Sequence, residues 1–186
     1  PFDDCSDASR VLADVSGLGT DATRSASTTC VAGIRGAAVS FDDQRDSASA
    51  DGTLARGERI AVSAFIQPRS TARGALVSKG TLGSTAFELS LSRGQLVFTV
   101  ELTNGRRVTS RAPVSKGTWS HVAGVYDGTF IFLFLNGQLV GQIAAAGGIR
   151  DAESSILFGT NARADAFDGL LDEIWISTDP VTAADI

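Results

Sequence analysis

Few residues in this chain have the types and spacing for chemistry. Asp172 and Glu173 are adjacent carboxylates inside an apolar run. On a regular strand, neighbours point to opposite faces, so this pair is not expected to converge on one substrate atom. His121 is the sole histidine. A catalytic base would need a nucleophile and an orienting acid beside it, and its setting, WSHVAG, reads as strand framework. Trp119 and Trp175 have the surface for sugar stacking, but their apolar neighbours point to core or half-buried packing. Arg106, Arg107 and Arg111 could meet an acidic glycan; a solvated hairpin face is the simpler reading. Cys5 and Cys30 are too far apart for CxxC redox or zinc-pair spacing, and one histidine is too few for a Cys/His zinc site. A disulfide between them would be worth roughly 3 kcal/mol by loop closure and implies an oxidising compartment. The alternative is two buried free thiols.

The elements that must position these residues read as strands. Residues 117–143, GTWSHVAGVYDGTFIFLFLNGQLVGQI, give three strands joined at Asp127-Gly128 and Asn136-Gly137, dipeptides suited to tight hairpins. Between the turns, Phe130–Leu135 is apolar at every position. That pattern predicts a strand covered on both faces, in the central hairpin pair of a two-layer structure. Further strands are expected at 36–41, 59–67, 75–79, 86–92, 95–102, 106–112, 155–159 and 170–177. On 59–67, Ile60, Val62, Ala64 and Ile66 share one face, and Pro68 ends the strand. On 95–102, Leu96, Phe98, Val100 and Leu102 face the core, while Val97, Thr99 and Glu101 face away. Arg93-Gly94 and Asn104-Gly105 mark hairpins. Pro1–Asp4 reads as extended, 5–35 as a long loop with one short strand at most, and Thr182–Ile186 as a single helical turn capped by Thr182. No internal repeat is evident. Many short strands joined by hairpin turns, in 186 residues, predict one all-β domain over 1–186, an antiparallel two-sheet sandwich.

Composition narrows the function classes. A net charge of −5, with Lys79 and Lys116 as the only lysines, argues against nucleic acid. No stretch approaches the roughly 18 apolar residues of a membrane span. No signal peptide is visible, as expected of a chain that starts after processing or is cut from a longer protein. Scarce Lys and Met beside abundant Arg, Ala and Gly suggest a GC-rich, bacterial genome.

The ordered set WSHVAGVYDG, LFLNGQLVG, ILFG and FDGLLDEIWIS, preceded by PFD, LADVSG, GIRGAAVSFDD, IAVSAFIQP and LVSKG, resembles the laminin-G-like, pentraxin-like branch of the concanavalin A-like jelly rolls. The resemblance spans nearly the whole chain. It implies two curved antiparallel sheets packed face to face, and a module that is mostly non-catalytic and binds glycans, proteins or cell surfaces. It also implies a structural calcium held by backbone carbonyls and one aspartate. The matching positions are Pro1 (or Asp3), Gly36 and Asp172, all hard oxygen donors. The alternative is that Asp172 caps backbone amides or pairs with an arginine. A second, pentraxin-style calcium is not expected, because Arg163 stands where an acid would be needed. Catalytic jelly-roll β-glucanases carry carboxylates on alternate strand positions; Glu88 is followed by Leu, Ser and Leu, and no such run exists. Retaining hydrolysis needs two carboxyls about 5 Å apart.

The expectation is therefore a non-enzymatic recognition module, extracellular or at the cell surface, belonging to a larger multidomain protein. Its partner is a glycan or a surface protein. The alternative is a structural or protein-interaction domain of a surface appendage without glycan specificity. Ligand contacts are expected on the rim loops 69–74, 80–85 and 160–167, with Arg73, Asn161, Arg163 and Asp165 as the residues to test.

Overall fold

A computed structural model describes all residues except 1, 3, 4, 7, 17, 18, 43, 56, 180 and 182–186, and the side chain of Leu54. Fifteen strands are defined among the described residues. They are β1 (Val11–Leu12), β2 (Ala22–Arg24), β3 (Thr29–Ala32), β4 (Ala37–Phe41), β5 (Ala48–Ala50), β6 (Ile60–Pro68), β7 (Arg73–Thr81), β8 (Ser84–Ser92), β9 (Gln95–Glu101), β10 (Arg107–Pro113), β11 (Ser120–Tyr126), β12 (Phe130–Leu135), β13 (Gln138–Ala144), β14 (Ile156–Phe158) and β15 (Gly169–Ser177), with one 3-10 turn at Gly52–Ala55.

All pairings are antiparallel, in two sheets. The first runs β1-β2-β5-β14-β7-β8-β9-β10 and the second β13-β12-β11-β6-β15-β4-β3. The core forms where their inner faces meet. Ile60, Val62, Ala64 and Ile66 oppose Phe87, Leu89, Leu91, Leu96, Phe98 and Val100, all 2 % exposed or less. The period-2 alternation in the sequence is the cause: every second residue enters the core and the rest remain outside. The fold is an all-β, antiparallel two-sheet jelly-roll-type sandwich, as the strand pattern predicts.

Three expectations need correction. Residues 5–35 are not one long loop. They carry β1, β2 and β3, which extend the edges of both sheets. These strands are only two to four residues long, so their alternation is too brief to register as a period. Second, β12 is not central. It lies one strand from an edge, and β6 is the middle of its sheet. Its outer phenylalanines are covered unevenly: Phe134 is 4 % exposed and Phe130 37 %. Phe134 sits with Ala61, Ala123 and Val125 in a small outer cluster flanked by Phe132 and Val181. The apolar outer face thus reflects local clustering rather than a covering layer. Third, β7 and β8 run longer than expected, to Thr81 and from Ser84, with irregular register at Ala75/Val77 and Lys79/Gly80. The expected helical turn at 182–186 lies outside the described residues, as do Pro1, Asp3 and Asp4 of the extended start.

Cys5 and Cys30 form a disulfide, with Cα atoms 5.7 Å apart. The free-thiol alternative does not hold. The bond fixes the N-terminal segment to β3. Beside it, the buried Arg24 guanidinium donates to the carbonyls of Ser6, Ser9 and Thr28. The Asn136-Gly137 hairpin has left-handed φ at both residues (52° and 74°), as does Arg93-Gly94 (52° and 80°), as tight two-residue turns require.

Candidate functional site

The outer face of the first sheet is a groove built by strand register. Across β10, β9, β8 and β7, one row reads Arg111, Val97, Ser90, Ala75, and the next reads Thr109, Thr99, Glu88, Ser78. These are the positions that alternate with the core residues. Although no second layer covers them, Val97, Thr99 and Ser90 are only 6, 3 and 7 % exposed. They form the floor of a depression of about 660 Å³. Long side chains of β10 stand along one side. On the other, the segment 160–167 folds against β7.

That segment is fixed by backbone pairing and by one asparagine. Ala75 N–H donates to Asp165 O (3.0 Å), and Gly159 N–H donates to Leu76 O (3.0 Å). Gly74 permits the close approach, since a Cβ there would lie 2.6 Å from Phe167 Cα. Asn161 is 9 % exposed and uses its whole amide. Its Oδ1 accepts from the N–H groups of Arg163 (2.9 Å) and Asp165 (3.1 Å), which fixes its orientation. Its Nδ2 donates to Glu88 Oε2 (2.9 Å) and Asp165 Oδ2 (3.0 Å). Arg73 Nη2 donates to the same Asp165 oxygen at 2.7 Å.

Arg73, Asn161, Arg163 and Asp165 therefore meet at one end of the groove, where 69–74 and 160–167 come together and residues 80, 81 and 85 line the adjoining cleft. The sequence offers Glu88 only as a failed catalytic candidate, and Arg107 and Arg111 either as contacts to an acidic glycan or, preferred, as a solvated hairpin face. Both arginines are exposed and line the groove, with Thr109 between them. Their odd-numbered spacing was a usable signal, because it places them on the face opposite to the buried Val108 and Ala112. Among the described residues, no aromatic lines the groove. The most exposed aromatics are Trp175 (41 %) and Phe130 (37 %), on the second sheet. Trp175 pairs with Ser63 on the face away from the core, so its expected core or half-buried packing is corrected; Trp119 is half-buried.

The shared Asn161 Nδ2 holds Glu88 and Asp165 within about 6 Å of each other, near the separation of a retaining glycosidase pair. The bonding suits a different role. Asn161 donates to both carboxylates and Arg73 to Asp165, so the oxygens that face each other are already engaged in fixed hydrogen bonds. His121 stacks on Phe65, with ring centroids 4.9 Å apart. Burial lowers its pKa. Its backbone N–H donates to Asn136 Oδ1, consistent with a framework position.

Asp172 and Glu173 depart from the strand rule. Glu173 has a left-handed φ of 49°, and β15 is irregular between Asp172 and Trp175. Both carboxylates consequently reach the 33–36 turn. Asp172, fully buried, accepts from Arg35 N–H (3.2 Å) and Glu173 N–H (2.7 Å). Glu173 Oε2 lies 3.9 Å from Arg35 Nη1. The bulge breaks the regular alternation of the strand, yet the two carboxylates meet different groups of Arg35, its backbone N–H and its guanidinium. Asp172 thus caps backbone amides, and the Gly36 carbonyl accepts Gly33 N–H at 3.0 Å. Glu173 Oε1 is buried with no partner among the described residues. The oxygens here fit a hard cation, which would also satisfy that atom. Pro1 and Asp3, the other members of the expected set, lie outside the described residues. No group of three or more His, Cys, Asp or Glu suited to a metal occurs among the described residues.

The chain belongs to a laminin-G-type family of the concanavalin A-like lectin/glucanases superfamily, whose model matches residues 42–186. No curated protein matches it. Among solved structures it is similar to the binding domain of Paraclostridial Mosquitocidal Protein 1, with a TM-score of 0.77 at 17 % identity, covering 94 % of this chain and 48 % of that one. It is also similar to the botulinum neurotoxin serotype G binding domain, with a TM-score of 0.77 at 13 % identity, covering 94 % and 46 %. A third is the botulinum neurotoxin serotype D ligand binding domain in complex with N-acetylneuraminic acid, with a TM-score of 0.76 at 14 % identity, covering 94 % and 46 %. The chain spans about half the length of these structures.

Proposed function

We propose that this chain is a non-catalytic recognition module that binds a glycan in the groove over β7–β10. The observation that carries the reading is the groove itself: a buried polar floor of Ser90 and Thr99 beneath a fixed set of donors and acceptors, Arg73, Glu88, Asn161 and Asp165. Hydroxyl-rich ligands need such preset hydrogen-bonding groups on a rigid scaffold. Membership of a lectin/glucanase superfamily supports it, as do neighbours described as binding domains, one of them complexed with N-acetylneuraminic acid. The engagement of both carboxylates by Asn161, and of Asp165 by Arg73, supports binding over hydrolysis. An extracellular or cell-surface setting within a larger protein accords with the disulfide.

A structural calcium is part of this reading, held by Asp172 and the Gly36 carbonyl with Pro1 or Asp3, and with Glu173 as a further donor. It would brace the 33–36 turn against β15. Calcium should raise the melting temperature relative to EDTA, and Asp172→Asn should remove the difference. Equal melting in both conditions would argue against the ion. Glycan-array screening of the folded protein, with calcium and with EDTA, tests the main reading: reproducible binding to a discrete set supports it, and no binding in either arm contradicts it.

The alternative is a protein-interaction surface. It is favoured by one observation, the exposed apolar residues Phe130, Leu139, Val140 and Ile143 along β12 and the edge strand β13.

A further inference from the structure

We infer that the ligand of the groove is an anionic polysaccharide, gripped by arginines that frame the groove on two sides; this rests on the glycan-binding reading above. The whole chain carries a charge of −5, yet the groove inverts that sign. Four arginines line it (Arg73, Arg93, Arg107 and Arg111) against two carboxylates, Glu88 and Asp165. Both carboxylates are already engaged, by Asn161 and, for Asp165, by Arg73. Arg107 and Arg111 are exposed and make no ion pair or hydrogen bond among the described residues. Arg107 stands across from Glu101, which Arg150 already engages, and feels its charge, whereas Arg111 faces the groove without an acidic register partner.

Their spacing suits an extended ligand. Four residues along β10 separate them by about 14 Å at ~3.4 Å per residue. Arg73 lies in the row Arg73, Ser92, Gln95, Pro113, three strands across from β10, again about 14 Å at ~4.8 Å per strand. Arg73 and Arg107 both reach the cleft beside Asn161, while Arg111 stands further along the groove, so a single small anion would not engage all three. A chain bearing repeated carboxylates or sulfates could reach all three, while its hydroxyls meet Ser90, Thr99 and Thr109. Guanidinium groups bind either anion through paired N–H donors. The groove offers no aromatic ring for base stacking, which favours an acidic glycan over a single-stranded nucleic acid.

The test is binding of the whole chain to polygalacturonate, its carboxyl-reduced neutral form, heparin and dextran, at low and high salt. The expected result is binding to one or both acidic polymers, weaker by roughly tenfold or more for the neutral forms, and weakened by salt. Comparison of polygalacturonate with heparin separates carboxylate from sulfate recognition. The Arg107→Gln/Arg111→Gln variant should bind at least roughly tenfold more weakly, with an unchanged circular dichroism spectrum and melting curve. Arg106→Gln, in the turn outside the groove, should bind as the parent does. Equal binding of neutral and acidic polymers, or no loss in the double variant, would overturn this inference and leave glycan binding standing. Binding to no polymer would overturn this inference, and the glycan array decides separately whether glycan binding stands.

Discussion

At the scale of single residues, Asn161 links the most groups in the site. It is nearly buried, and each amide hydrogen and each oxygen lone pair has a partner. Asn161→Ala would leave Glu88 facing Asp165 without the donor they share. A loss of about 2–3 kcal/mol in urea unfolding is expected, together with weaker ligand binding. Asn161→Asp would add a third carboxylate and should lower stability further at neutral pH than at pH 4. The histidine provides a separate check. Burial depresses the His121 pKa, so the unfolded chain takes up its proton first as pH falls. Stability from this group is complete above the unfolded value of about 6.5 and is lost as pH falls from there towards the lower folded value. His121→Gln should flatten the stability curve between roughly pH 7 and 5. The turn aspartate Asp127 acts lower. Burial opposes its ionisation, but N–H groups of Phe130 and Thr129 and the Thr129 hydroxyl outweigh that and hold its pKa down. Its contribution is present above about pH 4 and disappears in acid, and Asp127→Ala should lose it at neutral pH. Arg73, Asn161, Arg163 and Asp165 were legible because polar residues of mixed charge on two rim loops stood out. Arg107 and Arg111 were legible as candidates but their place beside Glu88 was not, since a strand residue reveals its neighbours only when the register across four strands is known.

At the scale of elements, alternation carried most of the information. The inner faces of β6 and β9 follow from sequence period alone, and Arg93-Gly94 and Asn136-Gly137 mark the β8–β9 and β12–β13 turns. Elements failed where that period was short or broken. The two to four residues of β1, β2 and β3 are too few to show one, and the left-handed Glu173 breaks the period of β15. The Phe130–Leu135 run misled for another reason: a fully apolar strand can arise from side-by-side phenylalanines on a sheet face. The N-terminal strands depend on the Cys5–Cys30 bond, which closes a 25-residue separation. Reduction, or Cys5→Ser/Cys30→Ser, should cost about 3 kcal/mol and lower the melting temperature. Hydrogen exchange should quicken most in β1–β3, and the groove over β7–β10, which shares no strand with them, should retain its ligand.

At the scale of the whole molecule, two sheets provide one polar face and one partly apolar face. The polar face is concave in outline, wet and cationic against an acidic body, and its register is fixed by eight strands. The sandwich was legible from strand count and turn spacing, and its superfamily from an ordered series of motifs. The choice between the two faces was not, because it depends on how segment 160–167 folds over β7. A direct measurement of that choice uses Ser90→Trp, which points an indole into the groove floor without touching the core. Glycan binding should be present in the parent and absent in Ser90→Trp, with both proteins melting alike. Unchanged binding in Ser90→Trp would place the ligand elsewhere and contradict the account.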